Sequence, residues 1–259
     1  MDKQKIAKPP LAILAPHPAH GGGVLSSLKV VYEFAERYFS PQVFCLSFLP
    51  PVAMSLRNLR LSSSIRETVI EGISCVEIGA RFSRFEPGLY WFTKDLWQQV
   101  LEPYRYIFVT GGTPHIAQPA VLLNKKFVLW LASTYFDDRK HRLQTASLVE
   151  RVVEKINHPL MDIAERQILE RASVLLPISS YTKKLCSDVL GFERTNVRVC
   201  PVPVAAVHGV DRIVSGGLLH VIAVGRFTDP RKNFKMLLAV CEKLLTSDER
   251  FCVDIVGAY

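Results

Sequence analysis

What the sequence lacks narrows it first. It has six cysteines, Cys45, Cys75, Cys186, Cys200, Cys241 and Cys252, and no two of them form a CxxC. Each lies in an apolar stretch, so a disulfide scaffold is excluded and reduced, buried thiols are expected, as in a cytosolic protein. No Cys/His pair has the spacing of zinc ligands, and no metal is expected. No segment approaches the ~18 consecutive apolar residues of a membrane-spanning helix. A secretory leader is not expected either. Lys3, Lys5 and Lys8 mimic a basic start, but Pro16 and His17 cut off the apolar run Leu11–Ala15 well short of the roughly 7–15 residues that a leader needs. There is no internal repeat, no helix-turn-helix pattern and no interleaving of basic and aromatic residues, so no nucleic-acid partner is expected. From Gln42 through Arg66 there is no acidic residue at all, whereas Arg57, Arg60 and Arg66 are present.

What is there is ordinary globular composition. The 259 residues are 49% apolar and 22% charged, which excludes disordered and collagen-like chains. The net charge of +8 is uneven. Residues 1–205 hold 25 basic and 18 acidic groups, a net of +7, and residues 206–259 hold seven and six, a net of +1. A basic face suits phosphorylated ligands or anionic lipid, and equally a plain solvated surface. Met54–Leu61, with Arg57 and Arg60 beside Leu56 and Leu59, reads as a surface helix or as an amphipathic helix lying on lipid.

Apolar strands alternate with helical patterns, which predicts α/β architecture with a mainly parallel sheet. Strands are expected at Leu11–Ala15, Val43–Phe48, Tyr106–Thr110, Phe127–Ala132, Val174–Pro177 and Val197–Cys200. Thr68–Ile70 and Ser74–Ile78, split by Glu71-Gly72, read as a hairpin. Helices are expected over about 24–39, 90–101, 116–123 and 181–190, with a long one over 143–172 broken near His158-Pro159. Trp91, Trp97 and Trp130 fall in apolar periodic stretches and are expected in the core. Pro201–Gly217 is a linker candidate. Beyond it come strand Leu218–Val224, helix Asn233–Leu245 and strand Phe251–Val256. The sequence therefore divides into residues 1–205 and a βαβ of residues 206–259, too small to bury a core by itself.

Two loops could carry chemistry. Pro16-His17-Pro18-Ala19-His20-Gly21-Gly22-Gly23 joins a strand to a helix, where free N–H groups and the helix dipole favour an anion. It is not the spaced GxGxxG of dinucleotide sites. Gly225-Arg226-Phe227-Thr228-Asp229-Pro230-Arg231-Lys232-Asn233 does the same in the second unit. Arg226 offers a fork for two phosphate oxygens and Lys232 a point charge. Either loop can also be a bare structural turn. His115, after Gly111-Gly112-Thr113-Pro114, is placed to face the cleft as an acid/base or sugar-binding group, or to cap the next helix. His17 and His20 flank the glycine turn.

Together these segments resemble the retaining glycosyltransferases of the GT-B fold, family four. The residues that carry the likeness are the glycine turn, Ala172–Ser179, Val197–Val204, Gly225-Arg226 with Pro230-Arg231-Lys232-Asn233, and Asp254–Gly257. The resemblance implies a GT-B type α/β fold: one complete Rossmann-like parallel-sheet domain at 1–205, on the acceptor side, followed by the first βαβ of a donor-binding domain at 206–259, truncated. It implies transfer of a sugar from a nucleotide-sugar donor to a sugar or lipid-linked acceptor, with no cofactor and no metal. Gly22, Gly23, Arg226 and Lys232 would bind the donor diphosphate.

Three departures accompany the likeness. Ala132-Ser133-Thr134 stands where many members have His. Val202-Pro203-Val204-Ala205 replaces the usual Asn-Gly-Val-Asp turn. The Glu-x7-Glu element that handles donor sugar and ribose has no counterpart before Tyr259. The alternative is thus a non-catalytic, split or degenerate subunit binding an acceptor or a partner protein, with a partner chain completing the second sheet. The expected location is cytoplasmic, with peripheral contact at the inner face of the membrane as a further expectation.

Overall fold

The computed structural model describes residues 7–20, 22–49, 51–54, 62–82, 85–145, 147–203, 217–225, 227 and 232–257. The chain divides into two compact units. One comprises Met1–Asp138 and Val152–Ala205, the other Arg139–Arg151 and Ala206–Tyr259. No helix among the described residues is long and apolar enough to cross a membrane.

The first unit is built on β1 (Pro10–Leu14), β2 (Ser40–Ser47), β3 (Ile65–Ile70), β4 (Ile73–Gly79), β5 (Tyr106–Gly111), β6 (Val128–Leu131) and β7 (Val174–Pro177). Its helices are α1 (Gly22–Glu36), α2 (Lys94–Leu101), α3 (Gln118–Leu122), α4 (Tyr135–Thr145), α5 (Leu148–Arg171) and α6 (Ser180–Leu190), the last part of α4 and the start of α5 lying in the other unit. The seven strands run in the order β3-β4-β2-β1-β5-β6-β7. Every pairing is parallel except β3 with β4. That hairpin closes on Glu71 and Gly72, both at positive φ (52° and 83°), the two-residue turn whose twist matches the strands it joins.

Alternation along the strands makes two cores. Ala12, Leu14, Phe44, Leu46, Val109, Leu129 and Leu175 point to one face, where Trp97, Leu101, Ala120, Ile168 and Cys186 cover them. Leu11, Ile13, Val43 and Cys75 point to the other, under Leu28 and Ala35 of α1. Beside α1, a groove of about 1130 Å³ runs over β5 and β6, lined by Phe34, Tyr38, Phe108 and Trp130.

Several expectations need correction. The long helix breaks between Thr145 and Leu148, and Pro159 lies inside α5. Proline removes the donor to the carbonyl of Lys155, but Lys155 and Pro159 are both exposed, so water can satisfy that carbonyl. The buried positions of α5, Glu154, Asn157, Met161, Glu165 and Ile168, keep helical spacing straight past the proline. Val197–Cys200 runs beside β7 through Arg198 N–H to Leu175 O (2.9 Å) and Cys200 N–H to Pro177 O (2.8 Å) but forms one isolated bridge, not a strand. The helix expected from residue 90 starts at Lys94, which leaves Trp91 in the preceding turn and 61% exposed, while Trp97 and Trp130 are buried. Cys200 and Cys252 are only partly buried, unlike the other four thiols. The amphipathic segment expected at Met54–Leu61 lies, Met54 apart, outside the described residues.

The second unit holds β8 (Leu219–Val224), α7 (Phe234–Ser247) and β9 (Phe251–Val256). β8 and β9 pair in parallel, so α7 is the crossover of a βαβ.

Candidate functional site

In open parallel sheets, ligands bind outside the carboxyl ends of the strands, where the strand order reverses. Here that point lies between β1 and β5. The glycine turn leaves β1 there, and Gly111-Gly112 ends β5.

The glycine turn is tied to the sheet by His17. The backbone N–H of Ala19 donates to His17 Nδ1 (3.2 Å), which places the ring proton on Nε2. That proton is donated to Glu77 Oε1 at 3.2 Å. The other Glu77 oxygen accepts from Arg66 Nη2 at 2.8 Å, across the β3–β4 pair. His17 and Glu77 are both buried. A buried carboxylate held from two sides is a rigid anchor, and it fixes the path of the chain into α1. Gly22 opens that helix and Gly23 follows it, with no acidic residue in the first turn. A Cβ added at Gly23 would meet nothing within 4 Å, so packing does not demand glycine there.

His115 is placed differently from a residue lining an open cleft. It is buried, its Nε2–H donates to the Met161 carbonyl (2.9 Å), and its ring stands edge-on to Tyr135 at 5.0 Å. Tyr135 is the centre of a carboxylate cluster. Its backbone N–H donates to Glu165 Oε1 (2.7 Å), and its hydroxyl lies 2.7 Å from Glu154 Oε1 and 3.3 Å from Glu86 Oε2. Burial pushes the Glu165 carboxyl up to about 7, helped by the Asp162 charge and opposed by the Tyr135 N–H. The sequence reading misses Glu77, Glu154 and Glu165. Glu154 and Glu165 carry no local signal of burial, because with Asn157 and Met161 they share a helix face less apolar than the opposite one, which holds Leu148, Val152, Ile156 and Ile163.

In the second unit the loop after β8 leads to Lys232, which is exposed, and to Asn233, which takes φ 44° and caps α7 by accepting from Met236 N–H at 3.4 Å. Arg226 lies outside the described residues. The loop is braced at its base by Gly225 N–H donating to Val256 O (3.0 Å). Gly257 sits so close that an added Cβ would fall 1.7 Å from Gly225 O, which explains the glycine there. Gly22 and Gly23 thus belong to the first unit and Lys232 to the second.

No protein-family model matches the sequence, and no curated protein matches it. Solved structures do. A trehalose-6-phosphate protein from E. coli, described as bound with UDP-2-fluoro glucose, matches at a TM-score of 0.57 and 11% identity, over 95% of this chain and 64% of its own. A sucrose-phosphate synthase from Thermosynechococcus elongatus matches at 0.54 and 14% identity, over 97% and 71%. The fold is of the GT-B type. A putative UDP-N-acetylglucosamine 2-epimerase from Listeria monocytogenes matches at 0.52 and 11%, over 98% and 64%. The chain therefore spans less than two thirds of the length of the E. coli and Listeria proteins. At these identities the likeness carries the fold, and one fold hosts more than one reaction.

Proposed function

We propose that the chain carries the diphosphate-binding part of a nucleotide-sugar-dependent glycosyltransferase, of the retaining, family-four kind. The observation that supports this best is the connection between β8 and α7: Gly225 follows the carboxyl end of a parallel strand, Lys232 and Asn233 stand at the start of a helix, and Arg226 lies between them in sequence. Such a position favours an anion through free N–H groups, the dipole and fixed cations. The E. coli neighbour's UDP-2-fluoro glucose fits the same ligand class. In this reading residues 1–205 form the acceptor side and 206–259 belong to the donor side. Arg226 grips the diphosphate with a two-pronged fork and Lys232 adds a point charge; in the first unit, the turn at Gly22 and Gly23 by itself offers free N–H groups to a phosphate. Negative charge growing on the departing diphosphate is stabilised by groups already in place. His115, whose Nε2 proton is engaged by Met161, is assigned no proton transfer. The net charge of +7 on residues 1–205 suits a phosphorylated or lipid-linked acceptor.

A second reading, a non-catalytic acceptor- or partner-binding subunit, is favoured by Ala132-Ser133-Thr134 standing where the resembled family has His. Calorimetry with UDP, UDP-glucose and uridine, followed by a transfer assay, separates the two. UDP and UDP-glucose are expected to bind alike and uridine not measurably. Arg226→Ala and Lys232→Ala should each weaken binding at least about tenfold, the loss of one charge-assisted contact. Indifference to the diphosphate, or to both substitutions, overturns the donor-site reading. Binding without transfer to any sugar or lipid acceptor supports the subunit.

A further inference from the structure

The second unit holds a set of side chains that the glycosyl-transfer reading does not use. On β8 and β9, His220 pairs in register with Cys252, and Ile222 with Asp254. Side chains two apart on a strand share a face, so His220, Cys252 and Asp254 emerge on the same side of this two-stranded sheet. α7 packs on the other. One imidazole nitrogen, the Cys252 sulfur and one Asp254 oxygen all lie within 4.8 Å of one another. His220 Nδ1 stands 3.9 Å from Asp254 Oδ2, too far for a direct hydrogen bond.

We propose that these three residues form a transition-metal site, with zinc the ion best matched to it. Nitrogen and thiolate donors exclude magnesium and calcium, which take oxygen ligands. Imidazole, thiolate and carboxylate are the three ligand types zinc accepts, at about 2.0–2.3 Å, and three protein ligands leave a fourth tetrahedral position for water. Tetrahedral donors at those bond lengths stand about 3.5 Å apart. Closing the set around an ion therefore takes a shift of roughly 1 Å by side chains on a fixed ladder. A plain His–Asp ion pair would leave the sulfur out and would not need it within reach.

The site is separate from the phosphate loop. His220 is the second residue of β8, whereas Gly225 and Lys232 follow that strand's carboxyl end. Sequence spacing hides it, because the ligands come from strands on either side of the crossover helix, and only the parallel register brings them together.

Untagged full-length protein should be titrated with Co²⁺ and with Zn²⁺ against a chromogenic chelator. One equivalent per chain is expected, with a thiolate-to-cobalt charge-transfer band that Zn²⁺ abolishes. The band should vanish in Cys252→Ser, and affinity should fall at least about tenfold in His220→Ala and Asp254→Asn, no less than changes beyond the ligands themselves produce. In wild type, Zn²⁺ should also slow alkylation of Cys252, read by mass spectrometry, which needs no variant to fold. The proposal is overturned if wild type binds neither ion, if the band persists in Cys252→Ser, or if Zn²⁺ leaves the alkylation of Cys252 unchanged. The donor-site reading stands or falls separately, on UDP binding by metal-free protein.

Discussion

At the scale of single residues, Gly23 separates a structural requirement from a functional one. Its backbone is not left-handed and a Cβ there would touch nothing. Glycine in a helix costs roughly 0.5–1 kcal/mol relative to alanine. Gly23→Ala is therefore expected to raise the melting temperature slightly. If the glycine serves close approach of a diphosphate, the same variant loses UDP affinity in calorimetry. Unchanged affinity would remove Gly23 from the site. Glu165 makes a different kind of statement. Its folded pKa, about 7, lies above the ordinary carboxylate value of 4.5 because it is buried. Between those two values the native state holds a proton that the unfolded state has released. Stability from this group is thus full below pH 4.5 and declines as pH rises toward 7, by up to about 3 kcal/mol at 1.36 kcal/mol per unit. Urea denaturation at pH 5 and pH 7.5 should show that decline in wild type. Glu165→Gln, which keeps an acceptor for the Tyr135 N–H, should flatten it.

At the scale of elements, α5 carries information that its sequence conceals. Its inward face is Glu154, Asn157, Met161, Glu165 and Ile168, while Leu148, Val152, Ile156 and Ile163 are exposed. An apolar stripe thus faces out and a partly acidic one faces in, the reverse of the usual amphipathic assignment. The inward acids are tolerated because the start of α4 meets them with the Tyr135 N–H and hydroxyl. Pro159 is tolerated because its lost hydrogen bond faces water. Pro159→Ala restores that donor and should stabilise the protein by about 1–3 kcal/mol, part of the helix penalty of proline being offset by the stiffer unfolded chain. Thermal unfolding checks it. No gain in melting temperature would mean that the helix has already adapted around the proline.

At the scale of the whole molecule, the two units differ in how much they bury. The first has two cores on either side of its sheet. In the second, Ile222, Val224, Met236 and Val256 are all more than half exposed, and Cys241 is the one apolar residue of β8, α7 and β9 among the buried core. Two strands and one helix offer too little apolar burial to outweigh roughly 1.5 kcal/mol of conformational entropy per ordered residue. A peptide of residues 206–259 is expected to show no cooperative thermal transition by circular dichroism, and residues 1–205 to unfold cooperatively. A sharp transition in the short peptide would contradict this account.

Most of the architecture was legible because it rests on local signals. Strand and helix periods alternate along the chain, Glu71-Gly72 marks the hairpin, and the run from Gly225 to Asn233 marks a strand-to-helix loop. From these follow α/β class, parallel pairing and the places where a phosphate loop can sit. Burial of charge was not legible. Glu77 looks like an ordinary strand-surface residue until Arg66 and His17 close on it from different elements. Glu154 and Glu165 look solvent-facing until Tyr135 meets them. His115 follows a strand, as either a cleft residue or a helix cap would, and its buried hydrogen bond goes to Met161, far along the chain. His220 and Cys252 become neighbours only through the register of two strands separated by a helix. The sequence by itself determined which segments form strands and helices, because the periodicity of apolar residues is local. Only the tertiary structure decided which polar groups meet, because a buried charge is stable only where distant elements bring it partners.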